Sequence, residues 1–296
     1  MIEHLNQTEQ APERVVVMGA GGFVGGAILR KLNQRGVATL AITRAEIDLL
    51  AAGAGERLAA LLGPSDAFVA VSAIAPCTTP AKLRDNITIA EALAATLTAC
   101  PVAQVLNIGS DAVYGDSPEA LTEQSCTAPG SLHGVMHLTR EIMLRDAAGD
   151  APFASLRPTL IYGLEDPHNG YGPNRFRRLA AKGEDIVLFG EGEERRDHIF
   201  VEDVAELAAR IVMRCSNGVL NAATGTVMSF RDAADLVASL FERPVTIRAT
   251  PRKGPMPHNG YRPFDPVATF AAFPDFRYVQ PADGFARVHA AMVEAS

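Results

Sequence analysis

The sequence predicts an α/β protein built on a doubly wound parallel sheet, with a smaller lobe formed by its C-terminal part. Short β-branched runs alternate with helix-length segments, a pattern typical of parallel strands whose connecting helices cover both faces of a sheet. The first strand stops at a cluster of glycines that leads into a helix. The chain has 296 residues, of which 48% are apolar, so it is long enough to bury a sizeable core.

Strands and helices are predicted in alternation along the chain, the strands from short apolar runs and the helices from longer amphipathic or Ala-rich ones. The predicted strands are Arg14–Met18, Ala38–Thr43, Ala67–Ser72, Gln104–Gly109 and Ala154–Tyr162. The predicted helices are Gly26–Asn33, Asn86–Ala99, Gly130–Leu144, Asp203–Cys215 and Val227–Phe241. The polar stretch MIEHLNQTEQAPER lacks an apolar segment of the signal-peptide type and is expected to be a frayed leader.

The composition argues against several classes of partner. A net charge of −7 and a pI near 5.5 disfavour nucleic acid. The longest apolar runs are too short to span a bilayer, so no membrane partner is expected. No two cysteines have C-x-x-C spacing, so neither a zinc site nor a redox dithiol is indicated, and reduced thiols of a cytoplasmic protein are expected. The cysteines are Cys77, Cys100, Cys126 and Cys215.

The segment VVVMGAGGFVGGAIL places Gly19, Gly22 and Gly25 between the first strand and the first helix. The first glycine allows a tight turn, the second lets the main chain approach a pyrophosphate, and the third permits close helix–strand packing. The helix N-terminus offers unpaired N–H groups to the phosphates. Phe23 and Val24, which lie in the same turn, are also predicted cofactor contacts. The segment therefore predicts a Rossmann-type binding site for a dinucleotide.

The residues after the second strand bear on the choice between NAD and NADP. An NAD site usually has Asp or Glu here, which accepts a hydrogen bond from the ribose 2′-hydroxyl. Thr43 and Arg44 follow the strand instead, and a guanidinium suits the 2′-phosphate of NADP. NADP is therefore favoured, while Glu46 and Asp48, which lie close by, leave NAD open.

Further motifs follow the glycine turn in a fixed order. They are SDAVYGD at Ser110–Asp116, LRPTLIYG at Leu156–Gly163 and GEGEERRDHIFVEDVA at Gly190–Ala205. Together with the glycine turn, they resemble the NAD(P)-dependent epimerase/dehydratase group of the extended short-chain dehydrogenases, whose members act on nucleotide sugars. The similarity runs from about Val15 to Asp203, with a looser match at Tyr261–Pro266.

The resemblance implies a division of the chain into two parts. Residues 14–165, with 199–226 returning to them, would form a dinucleotide-binding domain. Residues 166–198 and 227–296 would form the substrate-binding lobe. The resemblance also implies cofactor contacts beyond the glycine turn, from Asp48, Leu49, Ser72, Ala73, Asn86 and Pro158.

The catalytic residues are assigned from the same resemblance. The family has a Ser or Thr before VYG that hydrogen-bonds the reacting sugar hydroxyl, and Ser110 stands there. The next helix of the family carries Y-x-x-x-K, with Tyr as the acid–base and Lys holding the nicotinamide ribose. Here His133 and His137 occupy those two positions, so the sequence departs from the family at both. Asp111 is a second acid–base candidate.

The two histidines leave alternative functions open. A neutral imidazole is a competent base near neutral pH, so His133 is predicted to exchange the substrate proton in a 4-epimerase or 4-keto reductase. The pair is expected to titrate as a coupled unit, with one pKa lowered. The alternative is a catalytically silent relative that binds NAD(P) as a sensor or scaffold. A zinc site that adds Glu141 is not favoured, because nothing nearby in the sequence indicates residues that would orient such ligands.

The substrate end is predicted from three further residues. Asn174, Arg196 and Arg262 match family residues that contact the diphosphate and sugar of a nucleotide sugar, and guanidinium groups suit phosphate oxygens. A homodimer is also predicted, through the apolar faces of Asn86–Ala99 and Leu132–Asp146.

Overall fold

The structure is a computed structural model that describes residues 2–295. Its strands are β1 (Glu3–His4), β2 (Arg14–Met18), β3 (Thr39–Ile42), β4 (Asp66–Ala70), β5 (Gln104–Ile108), β6 (Phe153–Pro158), β7 (Leu160–Tyr162), β8 (Ile186–Phe189), β9 (Arg195–Phe200), β10 (Ser216–Ala222), β11 (Val227–Ser229), β12 (Ile247–Thr250) and β13 (Tyr261–Arg262). Seven of them form a central sheet in the order β1-β10-β6-β5-β4-β2-β3. This sheet is parallel except for β1, which pairs antiparallel with β10.

The helices cover both faces of the central sheet. They are α1 (Phe23–Gln34), α2 (Ala54–Ala59), α3 (Pro80–Ala99), α4 (Leu132–Ala147), α5 (Pro173–Lys182), α6 (Val201–Met213), α7 (Phe230–Ser239), α8 (Val267–Ala272) and α9 (Pro281–Glu294). Successive residues of β2 point to opposite faces, so Val15 and Val17 pack with α1 and α6, whereas Val16 and Met18 pack with α2 and α3. The predicted doubly wound α/β fold is confirmed.

The C-terminal part forms two smaller sheets beside the central one. Strand β9 pairs with β7, β11 and β13, and β8 pairs with β12. Two short 3₁₀ turns, Asp111–Val113 after β5 and Pro257–Gly260 before β13, contribute residues to the wall of the cavity described below.

The prediction of a frayed leader was wrong. Glu3 and His4 pair with β10 at the edge of the central sheet. The His4 ring also hydrogen-bonds the Ser216 hydroxyl at 2.8 Å and the Ala272 carbonyl at 3.0 Å. A strand of two residues is too short to show a periodic pattern. Its pairing partners, Ser216 and Asn217, are also too distant in sequence to reveal it.

Several predicted boundaries also differ. The helix predicted over Gly26–Asn33 begins at Phe23, and the helix predicted over Asn86–Ala99 begins at Pro80, where Thr79 caps it. The strand predicted over Ala154–Tyr162 is two strands, because the chain leaves the central sheet after Pro158 and pairs next with β9. The helix predicted over Val227–Phe241 begins only at Phe230. Its first three residues form β11, and Ser229 then caps α7 in a reciprocal capping box with Asp232.

The structure also bears on membrane-spanning helices and on the state of the cysteines. Within residues 2–295, no helix is long and apolar enough to cross a membrane. The four cysteines are all free, and Cys77 is buried, whereas Cys126 is exposed.

Candidate active site

A cavity of about 1300 Å³ opens at the carboxyl ends of β2, β4, β5 and β6. The structure brings most of the predicted site residues to its wall, although they come from distant parts of the chain. Those lining the cavity are Gly19, Gly22, Phe23, Val24, Gly25, Arg44, Asp48, Leu49, Ser72, Ala73, Ser110, Asp111, His133, His137, Pro158 and Arg196.

Three predicted site residues do not line the cavity, because their polar atoms are bonded elsewhere. Asn86 is buried and bonds the main chain of Ile74 on both sides of its amide, which fixes the loop after β4. Asn174 accepts from the Gly163 N–H at 3.1 Å and donates to Asp166 at 3.0 Å. Arg262 is also buried, and its partners are described with Asp111 below.

The glycine turn provides a main-chain cradle at the start of α1. Gly19 has φ +100, and a Cβ there would lie 2.8 Å from the Ser72 hydroxyl oxygen, so only glycine fits. A Cβ on Gly25 would overlap the Gly19 carbonyl, so the helix packs directly on the turn. Gly22 is the N-cap of α1, and no side chain accepts a hydrogen bond from the first turn. The N–H groups of that turn are therefore available to an anion in the cavity.

The far end of the cavity is lined by Arg44 and Asp48, the two charged residues expected to affect the choice between NADP and NAD. The Arg44 guanidinium, whose side chain is 73% exposed, lies 3.2 Å from an Asp48 carboxylate oxygen. Glu46 is turned back onto the chain, where one carboxylate oxygen accepts from the N–H and the hydroxyl of Thr43, both at 2.6 Å. These bonds lower the pKa of Glu46. Arg44 and Asp48 thus line the cavity, while Glu46 does not.

These features fit a dinucleotide. The cradle offers unpaired main-chain donors for phosphates, and the cavity extends from Arg44 past the cradle to His133. At the His133 end, the Nδ1 atom of His137 is buried and has no hydrogen-bond partner among residues 2–295. A buried polar atom in this state indicates a missing partner, such as a hydroxyl of a bound ligand.

The two histidines stand on the first turns of α4. Ser131 caps this helix by accepting from the Gly134 N–H at 3.1 Å. The imidazole rings of His133 and His137 meet edge to face, with centroids 4.7 Å apart and an interplanar angle of 88°. The main-chain N–H of Cys77 donates to His133 Nδ1 at 3.4 Å, so the neutral His133 ring carries its proton on Nε2.

Burial favours the neutral form of both imidazoles. Burial lowers the pKa of His133, and the positive charge of Arg140 lowers it further, while the nearby Asp111 carboxylate opposes them. The pKa of His137 is lowered well below its usual value by burial, by Arg140 and by His133. The expectation that the pair is electrostatically coupled therefore has a structural basis, to which Arg140 adds.

Ser110 and Asp111 lie beside the histidines at the end of β5. The Ser110 hydroxyl oxygen accepts from the Ala112 N–H at 3.2 Å, and the hydroxyl lies 3.4 Å from an Asp111 carboxylate oxygen. The other Asp111 oxygen accepts from Arg262 Nε at 3.1 Å and lies 3.7 Å from Arg196 Nη2. Arg262 also donates to the Asp111 and Tyr114 carbonyls at 2.8 and 3.2 Å. Arg262 is therefore a buried support for Asp111.

Glu141 and Tyr114, which lie near the site, have their polar groups engaged elsewhere. Glu141 accepts from Arg157 at 2.6 and 2.9 Å and from the Ser155 hydroxyl at 2.8 Å. The Tyr114 hydroxyl donates to Asn221 at 2.7 Å and accepts from Arg157 at 2.8 Å. Within residues 2–295 no group of three His, Cys, Asp or Glu side chains has the geometry of a metal site.

Three features of the site were not predicted from the sequence. Gly134 lets α4 approach the Asp111–Val113 turn, since a Cβ there would overlap the Ala112 carbonyl. Arg140 lies on the same helix face as the histidine pair, and its spacing from His133 was a visible signal. His258 and Asp116 line the cavity 2.5 Å apart, but 142 residues separate them in sequence, so no local pattern joins them.

The chain is similar to known proteins over most of its length. A family model described as the NAD dependent epimerase/dehydratase family matches residues 15–223. The solved structure of MoeE5 in complex with UDP-glucose and NAD matches with a TM-score of 0.81 and 22% identity, covering 95% of this chain and 99% of that one. A UDP-glucose 4-epimerase from Thermotoga maritima, with UDP-glucose, gives a TM-score of 0.81 at 20% identity, with coverages of 95% and 99%.

A UDP-glucuronic acid 4-epimerase from Bacillus cereus, in complex with UDP-glucuronic acid and NAD, gives a TM-score of 0.81 at 17% identity, covering 96% and 100%. At such identities the structural matches show the shared fold. The family model covers well over half of the chain, and its span includes the glycine turn, the SDAVYGD motif and both histidines. The chain therefore belongs to the NAD dependent epimerase/dehydratase family.

Proposed function

We propose that this protein is an NAD(P)-dependent oxidoreductase that acts at C4 of a nucleotide sugar, as a 4-keto reductase or a 4-epimerase, through Ser110 and His133. The observation that carries the proposal is that the hydroxyl of Ser110, the imidazole of His133 and the glycine cradle line one cavity. These are the groups that a reaction of this family needs close together, with His133 in place of a phenol.

The cofactor is proposed to lie along residues 14–165 and 199–226, with its phosphates on the first turn of α1. When bound, the nicotinamide supplies hydride transfer to or from the sugar carbon. Arg44 supports NADP, since its guanidinium is exposed at the cavity wall and is held only by a surface ion pair with Asp48. His137 is proposed to bond a cofactor hydroxyl through its unpaired Nδ1.

The residues of the chain favour the reductive direction. Because Cys77 donates to His133 Nδ1, the neutral His133 ring presents Nε2–H to the cavity. An N–H suits the oxygen of a carbonyl, which accepts hydrogen bonds only, and a neutral imidazole can polarise such a carbonyl. Ser110 is proposed to donate a hydrogen bond to the same oxygen. The proton that the new hydroxyl group needs after hydride transfer is proposed to come from solvent, because a neutral imidazole is too weak an acid to supply it. A 4-keto sugar is therefore favoured as the substrate over a 4-hydroxy sugar.

The substrate is proposed to extend into the lobe formed by residues 166–198 and 227–296, which contributes Arg196 and His258 to the cavity wall. Arg196 is the guanidinium proposed to contact the diphosphate. Its nearest carboxylates are Asp111 at 3.7 Å and Glu194 at 3.4 Å, distances long enough to leave donors for phosphate oxygens. Asn174 and Arg262 are proposed to support this wall from behind.

A second candidate is a catalytically silent relative that binds NAD(P) as a sensor or scaffold. It is favoured by the engagement of Asn174 and Arg262 with other side chains, which leaves the cavity with less positive charge for a diphosphate. It is also favoured by the absence of a lysine at position 137.

The test is hydride transfer by the purified protein. We expect deuterium from NADPH or NADH deuterated at C4 of the nicotinamide to appear at C4 of the sugar when UDP-, GDP- or dTDP-4-keto sugars are supplied. If the protein binds the cofactor but turns over none of these sugars and none of the matching hexoses, the proposal that it is an enzyme would be contradicted. The double variant His133→Tyr/His137→Lys then decides for the silent relative if it gains activity that the parent protein lacks.

A further inference from the structure

A buried arginine shares helix α4 with the histidine pair. Arg140 follows His137 by three residues and His133 by seven on α4, so all three side chains share one face of the helix. Long side chains on a helix lean toward its N-terminus, and this direction brings the guanidinium back toward the imidazoles. Arg140 is 2% exposed, which makes it one of the most deeply buried charged groups of the protein.

The guanidinium is held by main-chain carbonyls. Nη1 donates to the Ser72 carbonyl at 2.9 Å and Nη2 to the Ile108 carbonyl, so Arg140 ties together the ends of β4 and β5 at the cavity. Its Nε is buried and has no partner among residues 2–295. The neighbouring carboxylate, Glu141, is bonded to Arg157 and Ser155 instead. The positive charge of Arg140 is therefore not neutralised by a directly bonded carboxylate.

We propose that Arg140 is a positioning residue whose charge opposes protonation of His137 and, against the Asp111 carboxylate, of His133, so that His133 presents Nε2–H rather than an imidazolium to the substrate. The catalytic consequence rests on the function proposed above, whereas the electrostatic effect does not. A fixed positive charge close to an imidazole disfavours its protonated form, and the effect is strongest where water is excluded. Arg140 stays charged despite its burial, which lowers its pKa only to about 10.

The other groups around the pair do not replace this charge. Burial is the main cause that lowers the pKa of His133. Asp111, on the turn after β5, raises that pKa by more than Arg140 lowers it, so Arg140 offsets part of the effect of Asp111. His168, from the loop after β7, acts in the same direction as Arg140 on His133. On the side of α3 the contact is the neutral N–H of Cys77. For His137, the charged and titratable neighbours are Arg140 and His133 themselves.

The test is a titration of the imidazoles in the protein without cofactor, followed by NMR of the ring nuclei. In the wild type we expect His133 to titrate below its ordinary value of about 6.5 and to show the neutral Nε2–H form at pH 7. In Arg140→Gln and Arg140→Met, loss of the charge should raise the pKa of His133 by roughly half a unit or more. Arg140→Lys keeps the positive charge but lacks the guanidinium group, so the pKa of His133 in this variant should stay near that of the wild type.

Arg145→Gln is the matched control, because it removes a positive charge from the same helix at a side chain that is 51% exposed. It should leave the pKa of His133 unchanged. A wild-type His133 that titrates at 6.5 or above overturns the proposal without any variant. So does a folded Gln or Met variant with an unchanged pKa, or an Arg140→Lys variant whose pKa rises as far as theirs.

The same series separates this proposal from the proposed function. If the protein turns over a 4-keto sugar, the acidic limb of its pH–rate profile should move to higher pH in Arg140→Gln, in step with the NMR titration. If no sugar is turned over while the titration shifts as expected, the proposed function fails and the electrostatic role of Arg140 stands.

Discussion

Two helices begin at the wall of the cavity, and the third residue of each is a glycine packed on a main-chain carbonyl. In α1 the glycine is Gly25, against the Gly19 carbonyl, and in α4 it is Gly134, against the Ala112 carbonyl. A Cβ would overlap the carbonyl at either position. The same device therefore brings both helix N-termini close to the ends of the central strands.

The two helices use that approach differently. No side chain caps α1, so its first turn keeps main-chain N–H groups for a ligand. Ser131 caps α4, which satisfies the Gly134 N–H and leaves the helix to present side chains, His133 and His137. Main-chain donors do not depend on side-chain identity, whereas the chemistry of α4 does. We therefore expect the proposed cofactor binding and the proposed catalysis to be separable by substitution.

The largest effect is expected from His133→Phe. Removing the Nε2–H that is proposed to polarise the carbonyl should lower kcat by roughly 10²- to 10³-fold, because one preorganised donor to a developing oxyanion contributes about that much. The affinity for NAD(P), measured by calorimetry, should stay unchanged, since the cradle on α1 is untouched. His289→Phe is the matched control, because His289 packs against Phe241 and does not line the cavity. Equal activity of the His133 variant and the control would remove His133 from the mechanism.

The paired substitutions Gly25→Ala and Gly134→Ala test the comparison itself. Each forces a helix away from a carbonyl and should lower the free energy of unfolding by about 1–3 kcal/mol. Gly25→Ala should also weaken NAD(P) binding by roughly tenfold or more, a loss of about 1.4 kcal/mol. Gly134→Ala should leave that affinity near wild type but reduce turnover, because it moves both histidines. Urea melts measure the change in stability, and calorimetry measures the cofactor affinity. Loss of cofactor affinity in both variants would show that the helices do not act separately.

The cofactor side of this comparison was more predictable from sequence than the catalytic side. Gly19, Gly22 and Gly25 act through local backbone conformation, which a strand–turn–helix pattern encodes directly. The position of His133 and His137 on one face of a helix was predictable from their spacing. Their protonation was not, because it depends on burial in the folded protein and on charges brought in by the tertiary structure, those of Asp111 and Arg140.

The substrate side shows the same limit. Arg262 was predicted to contact phosphate, but the structure pairs it with Asp111, 151 residues away. Asn174 likewise turns toward Asp166 and the Gly163 N–H. Sequence motifs place a residue near a site, and only the tertiary partners decide whether its polar atoms reach the ligand or support the wall.

A smaller effect is expected at the adenosine end, where α1 gives no discrimination between the two cofactors. Arg44→Ala should weaken NADP binding by roughly tenfold to hundredfold, since a charge-assisted hydrogen bond contributes about 1.5–3 kcal/mol. NAD binding should change little, because Asp48 remains available to the ribose once its partner is gone. Equal losses for the two cofactors in calorimetry would show that Arg44 does not contact a 2′-phosphate. Arg30→Ala, on the outer side of α1, is the control.

The smallest effect is expected from Ser131→Ala, which makes the N-terminus of α4 resemble that of α1. Loss of the cap should lower the free energy of unfolding by about 1 kcal/mol, as read from urea melts. It also frees the Gly134 N–H, so α4 would gain an unpaired donor beside His133. If the cap serves to keep α4 free of anions, phosphate should stabilise Ser131→Ala more than the wild type in the same melts. Equal stabilisation of both proteins would show that α1 alone provides the anion site, with or without the cap on α4.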